Sequence, residues 1–240
     1  MSESQNSEGS PQGLPTGPWP TLSVGEQRIL GVLVEKQKTT PEVYPLSLNA
    51  LIVGSNQKSN RDPVTELNEE QVDEIMDDLR KKGLAIKVVG GRVDRYRHLL
   101  YDVIQPSKAE LAVLAELFLR GPQTEGELRT RASRMDDIPD LDSLKTHLRE
   151  LKKRNLVQYL TPEDKRGAVV SHSLYEPATL EHLRRKAEGM GVSLSQEPFS
   201  KAPPAPPPPP PEWLARLDQL ESRVESLEKE LSALKTALGQ

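Results

Sequence analysis

The sequence predicts a mainly helical α+β protein: two winged-helix domains in tandem, then a proline-rich linker and a C-terminal coiled-coil helix. Three observations carry this. Leu79-Arg-Lys-Lys-Gly-Leu-Ala-Ile-Lys-Val88 aligns without a gap on Leu151-Lys-Lys-Arg-Asn-Leu-Val-Gln-Tyr-Leu160. Each phrase runs from an amphipathic helix into strand-like residues and a polar turn, the way the last helix of a helix-turn-helix enters the hairpin of a winged helix. The same capping signal, serine followed three residues later by glutamate, opens both halves at Ser23/Glu26 and Ser107/Glu110. The C-terminal segment repeats leucine and valine in heptads.

Residues 1–20, rich in Ser, Gly, Pro, Gln and Asn, read as a disordered tail. The first domain spans 21–104. Its first helix follows Ser23 and carries Ile29, Leu30, Leu33 and Val34 at helical spacing. A second helix starts near Ser47 with Leu48, Leu51 and Ile52. After a polar loop a third begins near Asn68, with Val72, Ile75, Met76 and Leu79 on one face. Leu84 to Val89 and Arg92 to Leu99, joined by Gly90-Gly91, read as a tight hairpin, because paired glycines permit the positive φ such turns need. The second domain, 105–188, repeats this order. Leu111, Leu114, Leu117 and Phe118 follow Ser107, Thr124 and Glu127 cap the next helix, and Leu141, Leu144, Leu148 and Leu151 line the third. Strands then flank Thr161-Pro-Glu-Asp-Lys-Arg-Gly167.

Residues 189–211 form the linker, whose proline run favours extended polyproline II. In 212–240, Trp213, Leu217, Leu220, Val224, Leu227, Leu231, Leu234 and Leu238 alternate spacings of four and three. Leu217, Val224, Leu231 and Leu238 occupy the a positions. The pairs Arg216–Glu221, Arg223–Glu228 and Glu230–Lys235 join opposite charges only in a parallel dimer, so a parallel homodimer is expected.

Composition narrows the function. The net charge is −4, so no global basic field draws the chain to nucleic acid, and any DNA contact needs a local patch. The chain has no cysteine, which excludes disulfides and thiolate chemistry. No apolar run approaches the roughly 20 residues of a membrane span, and the N-terminus lacks a signal-peptide pattern. The expected location is the cytoplasm, with no membrane partner. There is no glycine-rich phosphate loop, and His98, His147, His172 and His182 show no metal-ligand spacing. His147 lies beside the apolar stripe of its helix and reads as a packing residue. No catalytic role, cofactor or metal is expected.

In a DNA-bound winged helix the third helix enters the major groove and the hairpin lies along the backbone or minor groove. The first domain suits this poorly, because its third helix exposes Glu69, Glu70, Asp73, Glu74, Asp77 and Asp78. The second suits it better. Lys145, Arg149 and Lys152 form one stripe opposite the leucines, and Arg129, Arg131 and Arg134 decorate the preceding helix, where phosphate contacts are common. Lys87, Arg92, Arg95 and Arg97 on the first hairpin are further candidates for a backbone or an A·T-rich minor groove.

Thr40-Pro-Glu-Val-Tyr-Pro-Leu-Ser-Leu-Asn-Ala-Leu51, Ser55-Asn-Gln-Lys-Ser-Asn-Arg-Asp-Pro63 and Leu119-Arg-Gly-Pro-Gln-Thr-Glu-Gly-Glu-Leu-Arg-Thr-Arg-Ala132 resemble the signature of the YceH-type bacterial proteins. The resemblance covers about residues 21–180 and implies two winged helices in tandem with, in many relatives, a terminal coiled coil. It singles out Asn49, Asn56, Gln57, Lys58, Asn60 and Arg61 as a motif loop. Short amides bond their own backbone in turns, which favours a scaffolding role there. Ser55 stands where relatives often carry cysteine, so no thiol role attaches to that position. The expected function is DNA binding, of a regulatory kind, by a homodimer. The rival is a protein–protein adaptor, favoured by the acidic helix and the proline-rich linker.

Overall fold

Both halves of the chain follow one order in the computed structural model, which describes residues 19–90 and 92–191. In the first, α1 (Val24–Thr39) leads through β1 (Leu46–Ser47) to α2 (Leu48–Ser55), α3 (Glu69–Lys81), β2 (Ala85–Val88), β3 (Arg95–His98) and α4 (Leu100–Ile104). In the second, α5 (Lys108–Arg120) leads through β4 (Gln123–Thr124) to α6 (Glu125–Ala132), α7 (Leu141–Lys153), β5 (Val157–Tyr159), β6 (Val169–His172) and α8 (Pro177–Gly191). The described residues thus form a mainly helical α+β fold with two three-stranded antiparallel sheets, ordered β1-β3-β2 and β4-β6-β5. The registers match as well: Leu46 faces Tyr96, as Gln123 faces Val170.

Local chemistry explains the boundaries. Ser23, Ser107, Thr124 and Asn68 each close a reciprocal capping box, with Glu26, Glu110, Glu127 and Gln71 respectively. The duplicated phrase ends α3 and α7 identically. Gly83 (φ 69°) and Asn155 (φ 55°) take the left-handed conformation that glycine and asparagine tolerate best. The next amides then bond back five residues, Leu84 to Leu79 at 2.9 Å and Leu156 to Leu151 at 3.0 Å. The phrase also carries an ionic tie. Lys82 Nζ lies 2.6 Å from Glu26 Oε1, and Arg154 Nη2 lies 2.8 Å from Glu110 Oε2. In each half the end of the third helix is therefore pinned to the cap of the first.

Two buried histidines repeat in the same way. The Leu100 N–H donates to His98 Nδ1 at 3.2 Å, which leaves the ring proton on Nε2, 2.7 Å from Gln37 Oε1. The Leu174 N–H donates to His172 Nδ1 at 3.2 Å, and Nε2 faces Gln27 Oε1 at 3.2 Å. Burial, reinforced by Arg97 and Lys38, pushes His98 down to about 4. Burial between Phe118 and Tyr175 pushes His172 down to about 3.

The two halves share one core. Residues Glu26–Glu35 of α1 and Ala109–Leu119 of α5 are buried on every side, because each helix packs against its own half and against the other. Gly31 makes this approach possible, since a Cβ there would stand 2.8 Å from Leu119 Cγ and 3.3 Å from the Ala115 carbonyl oxygen. Polar residues inside the seam are paired across it. Arg134 bonds both Glu35 and Glu116 at 3.1 Å, Lys38 reaches Asp136 at 2.7 Å, and Leu22 donates to the Leu174 carbonyl at 2.7 Å. Trp19, in the segment that composition assigns to the tail, is half-buried and donates to the Arg154 carbonyl at 2.8 Å.

Some sequence expectations shift. The first hairpin is wider than a two-residue turn. Its last pair is Val88–Arg95, and Val89 (77% exposed) and Val93 (60%) stand outside it with no apolar layer to cover them. Gly91 lies outside the described residues. Leu141, expected on the buried stripe of α7, is 43% exposed because the first turn overhangs the core. Helices α4 and α8 extend the repeat beyond its hairpins. Helix α8 runs to Gly191, into the start of the expected 189–211 linker; the rest of the linker and the heptad residues Leu217, Leu220, Val224, Leu227, Leu231, Leu234 and Leu238 lie outside the described residues.

Candidate nucleic-acid interface

The outward faces of α3 and α7 are the surfaces to compare, because capping and the duplicated phrase place them in equivalent settings. Both run thirteen residues, from caps at Asn68 and Asp140. Aligned on those caps, Asp73 matches Lys145, Asp77 matches Arg149 and Arg80 matches Lys152. All six are exposed. The inner faces match in kind: Val72, Met76 and Leu79 are fully buried, as are Leu144, Leu148 and Leu151. One helix design has thus been kept inside and reversed in charge outside.

In the first half, the groove between α3 and the β2–β3 hairpin is lined by Glu69, Glu70, Asp73 and Asp94, with Lys87 and Tyr96 between them. Lys87 is held by Asp94 at 2.6 Å. Such a groove repels phosphate. In the second half, Lys145 and Tyr159 converge on Glu125, the lysine at 3.7 Å and the phenol donating at 2.7 Å. Burial and Glu125 together push the Tyr159 phenol well above its usual range. Lys152 pairs with Glu163 and stands 5.6 Å from the centre of the Tyr159 ring. Arg149 is exposed between the two lysines and makes no ion pair among the described residues. Lys165 and Arg166 are exposed at the tip of the second hairpin. Sequence reasoning passed over these two because they sit in a turn rather than on a helix face.

Arg129 and Arg131 of α6, and Arg134 just past its end, do other work. Arg129 donates to the Ile138 and Pro139 carbonyls at 3.3 and 2.9 Å, closing the turn into α7. Arg131 bonds Gln123 at 2.7 Å and Glu127 at 3.2 Å. Arg134 belongs to the seam described above. All three, expected at phosphates, are engaged within the chain. On the first hairpin, Arg95 donates to the Pro45 carbonyl at 2.8 Å and Arg97 lies 3.8 Å from Asp102, while Arg92 is exposed.

The motif loop is internal scaffolding. Arg61 is buried and grips Glu35 through Nη2 at 2.5 Å, with further bonds to the Gly54 and Asn60 carbonyls and to Gln57. Asn56 brackets Leu67, donating to its carbonyl and accepting from its amide, both at 2.8 Å. Asn60 accepts from Arg120 at 2.6 Å. Lys58 and Asn49 are exposed. Ser55 is fully buried and its Oγ has no partner among the described residues, so a small apolar side chain would suit the position as well as a hydroxyl. Among the described residues no three His, Asp or Glu side chains gather as a metal site, and no helix is long and apolar enough to cross a membrane.

These features define a class: a twice-repeated helix-and-hairpin protein whose halves share one core and differ in outward charge. Residues 22–166 match the family described as "Protein of unknown function, DUF480", and the chain belongs to that family. The YceH-type motifs fall inside that match. The chain is 47% identical over 188 residues to a UPF0502 protein of Rhodopirellula baltica, covering 77% of this chain and 79% of the relative. It is 38% identical over 225 residues to one from Hahella chejuensis, covering 91% and 96%. A third, from Geotalea daltonii, is 56% identical over 135 residues, which span 56% of this chain and only 62% of that relative.

Proposed function

We propose that the chain is a tandem winged-helix protein that binds double-stranded DNA through its second repeat. In this reading α7 lies in the major groove and the β5–β6 hairpin runs along the backbone, bringing Lys165 and Arg166 to phosphates. The observation that carries it is the reversal at matched positions, Asp73 to Lys145 and Asp77 to Arg149. A purely structural duplicate has no need to replace two outward negative charges by two positive ones. The protein acts without catalysis, in the cytoplasm and in a regulatory capacity. The 212–240 heptads join two copies as a parallel dimer, raising the effective concentration of the second site.

The test is a salt titration of full-chain binding to a labelled duplex of mixed sequence. Binding near physiological salt is expected. Lys145→Glu with Arg149→Glu should lower affinity at least tenfold and reduce the salt slope by about one unit, for the phosphate that Lys145 no longer neutralises. Absence of binding at low salt, or indifference to both substitutions, removes the proposal. The second reading is an adaptor for proteins, favoured by the six exposed carboxylates of α3. It predicts no duplex binding and sensitivity to Asp73→Lys instead.

A further inference from the structure

Arg149 differs from the other cations of α7 in one respect. Lys145 is drawn to Glu125, Lys152 to Glu163, and Lys153 to Glu150 at 2.7 Å. Arg154, at the helix end, is held by Glu110. Arg149 has no carboxylate partner among the described residues and is exposed, four residues after one stripe lysine and three before the next. Its counterpart in the first half, Asp77, is paired with Arg80 at 2.6 Å.

Position and chemistry together narrow what such a side chain can do. When a helix lies in the major groove, its flanks face the two phosphate backbones and the middle of its exposed stripe faces base edges. Lysines at either end of the stripe are point charges suited to phosphate. A guanidinium in the middle presents two parallel N–H donors, and guanine offers the matching pair of acceptors, O6 and N7. Because Arg149 is not held by a carboxylate, no ion pair has to be broken before it reaches a base.

We infer that Arg149 reads a guanine in the major groove, making it the sequence-determining residue of the second repeat. This rests on the DNA-binding reading above. The experiment is selection from a pool of randomised duplexes by the full-chain protein and by Arg149→Lys, each checked for an unchanged thermal midpoint. The wild type should enrich one guanine per bound half-site. Replacing that base by 7-deazaguanine, which lacks the N7 acceptor, should weaken wild-type binding about tenfold. Arg149→Lys should keep its affinity for mixed-sequence duplex within about threefold while losing both the enrichment and the response to 7-deazaguanine. Enrichment of the same guanine by Arg149→Lys overturns the inference, as does wild-type binding without any guanine preference. A change confined to the salt slope would make Arg149 a phosphate contact and overturn it too. Failure of the wild type to bind any duplex at low salt strikes the parent reading instead, so the two failures are distinct.

Discussion

Acid should loosen this protein through two buried histidines. His98 (3% exposed) and His172 (0% exposed) are neutral, each with its Nδ1 lone pair occupied by a backbone N–H. Their folded values, about 4 and about 3, lie below the 6.5 they regain on unfolding. As pH falls through 6.5, the unfolded chain binds a proton on each ring that the folded chain refuses. Their stability is therefore complete above that pH and is lost on acidification, down to the folded values. Each proton contributes about 1.36 kcal/mol per pH unit. Integrated from pH 7 to pH 5 for two rings, the loss is about 3–4 kcal/mol. The assay is urea unfolding of the wild type, both single His→Gln variants and the double variant across that range. Each single change should halve the loss, and the double should nearly abolish it, whatever it does to absolute stability. A wild-type stability flat between pH 7 and pH 5, or a double variant as acid-sensitive as the parent, would refute the reasoning.

Two further outcomes concern the seam. Gly31→Ala forces a Cβ against Leu119 and the Ala115 carbonyl, a cost of about 1–3 kcal/mol that exceeds the helix-propensity gain of alanine. The thermal midpoint should fall, and a rise would show that the helices have room to part. Arg61→Met strands Glu35 with Arg134 alone and should cost about 3 kcal/mol, whereas adding Glu35→Met should recover most of that loss. Unfolding midpoints of the single and double variants decide it.

Local rules carried the sequence reading a long way. The capping boxes at Ser23, Ser107 and Thr124, the stripes of α3 and α7 and the duplicated helix end are encoded within a few residues of where they act. What escaped depends on partners far along the chain. Arg129, Arg131 and Arg134 look like any basic helix face until the Pro139 carbonyl, Gln123, Glu35 and Glu116 arrive beside them. Gln27 and Glu35 break the apolar pattern of α1, and their burial is explained by the Leu22 carbonyl, His172 and the arginines Arg61 and Arg134. The histidines were findable. Allowing the second hairpin two more residues than the first sets His98 against His172, since Ala85 pairs with His98 as Val157 pairs with His172. The reversal at 73/145 and 77/149 was equally open to a residue-by-residue alignment of the two third helices.

Enclosing α1 and α5 on all sides separates two kinds of change. An altered side chain in that common keel disturbs both halves at once, so each copy constrains its twin. Charges on the outer turns of α3 and α7 make ion pairs at the surface and shift stability by roughly half a kcal/mol each. The two copies can therefore carry opposite outward signs on one common framework that aims both.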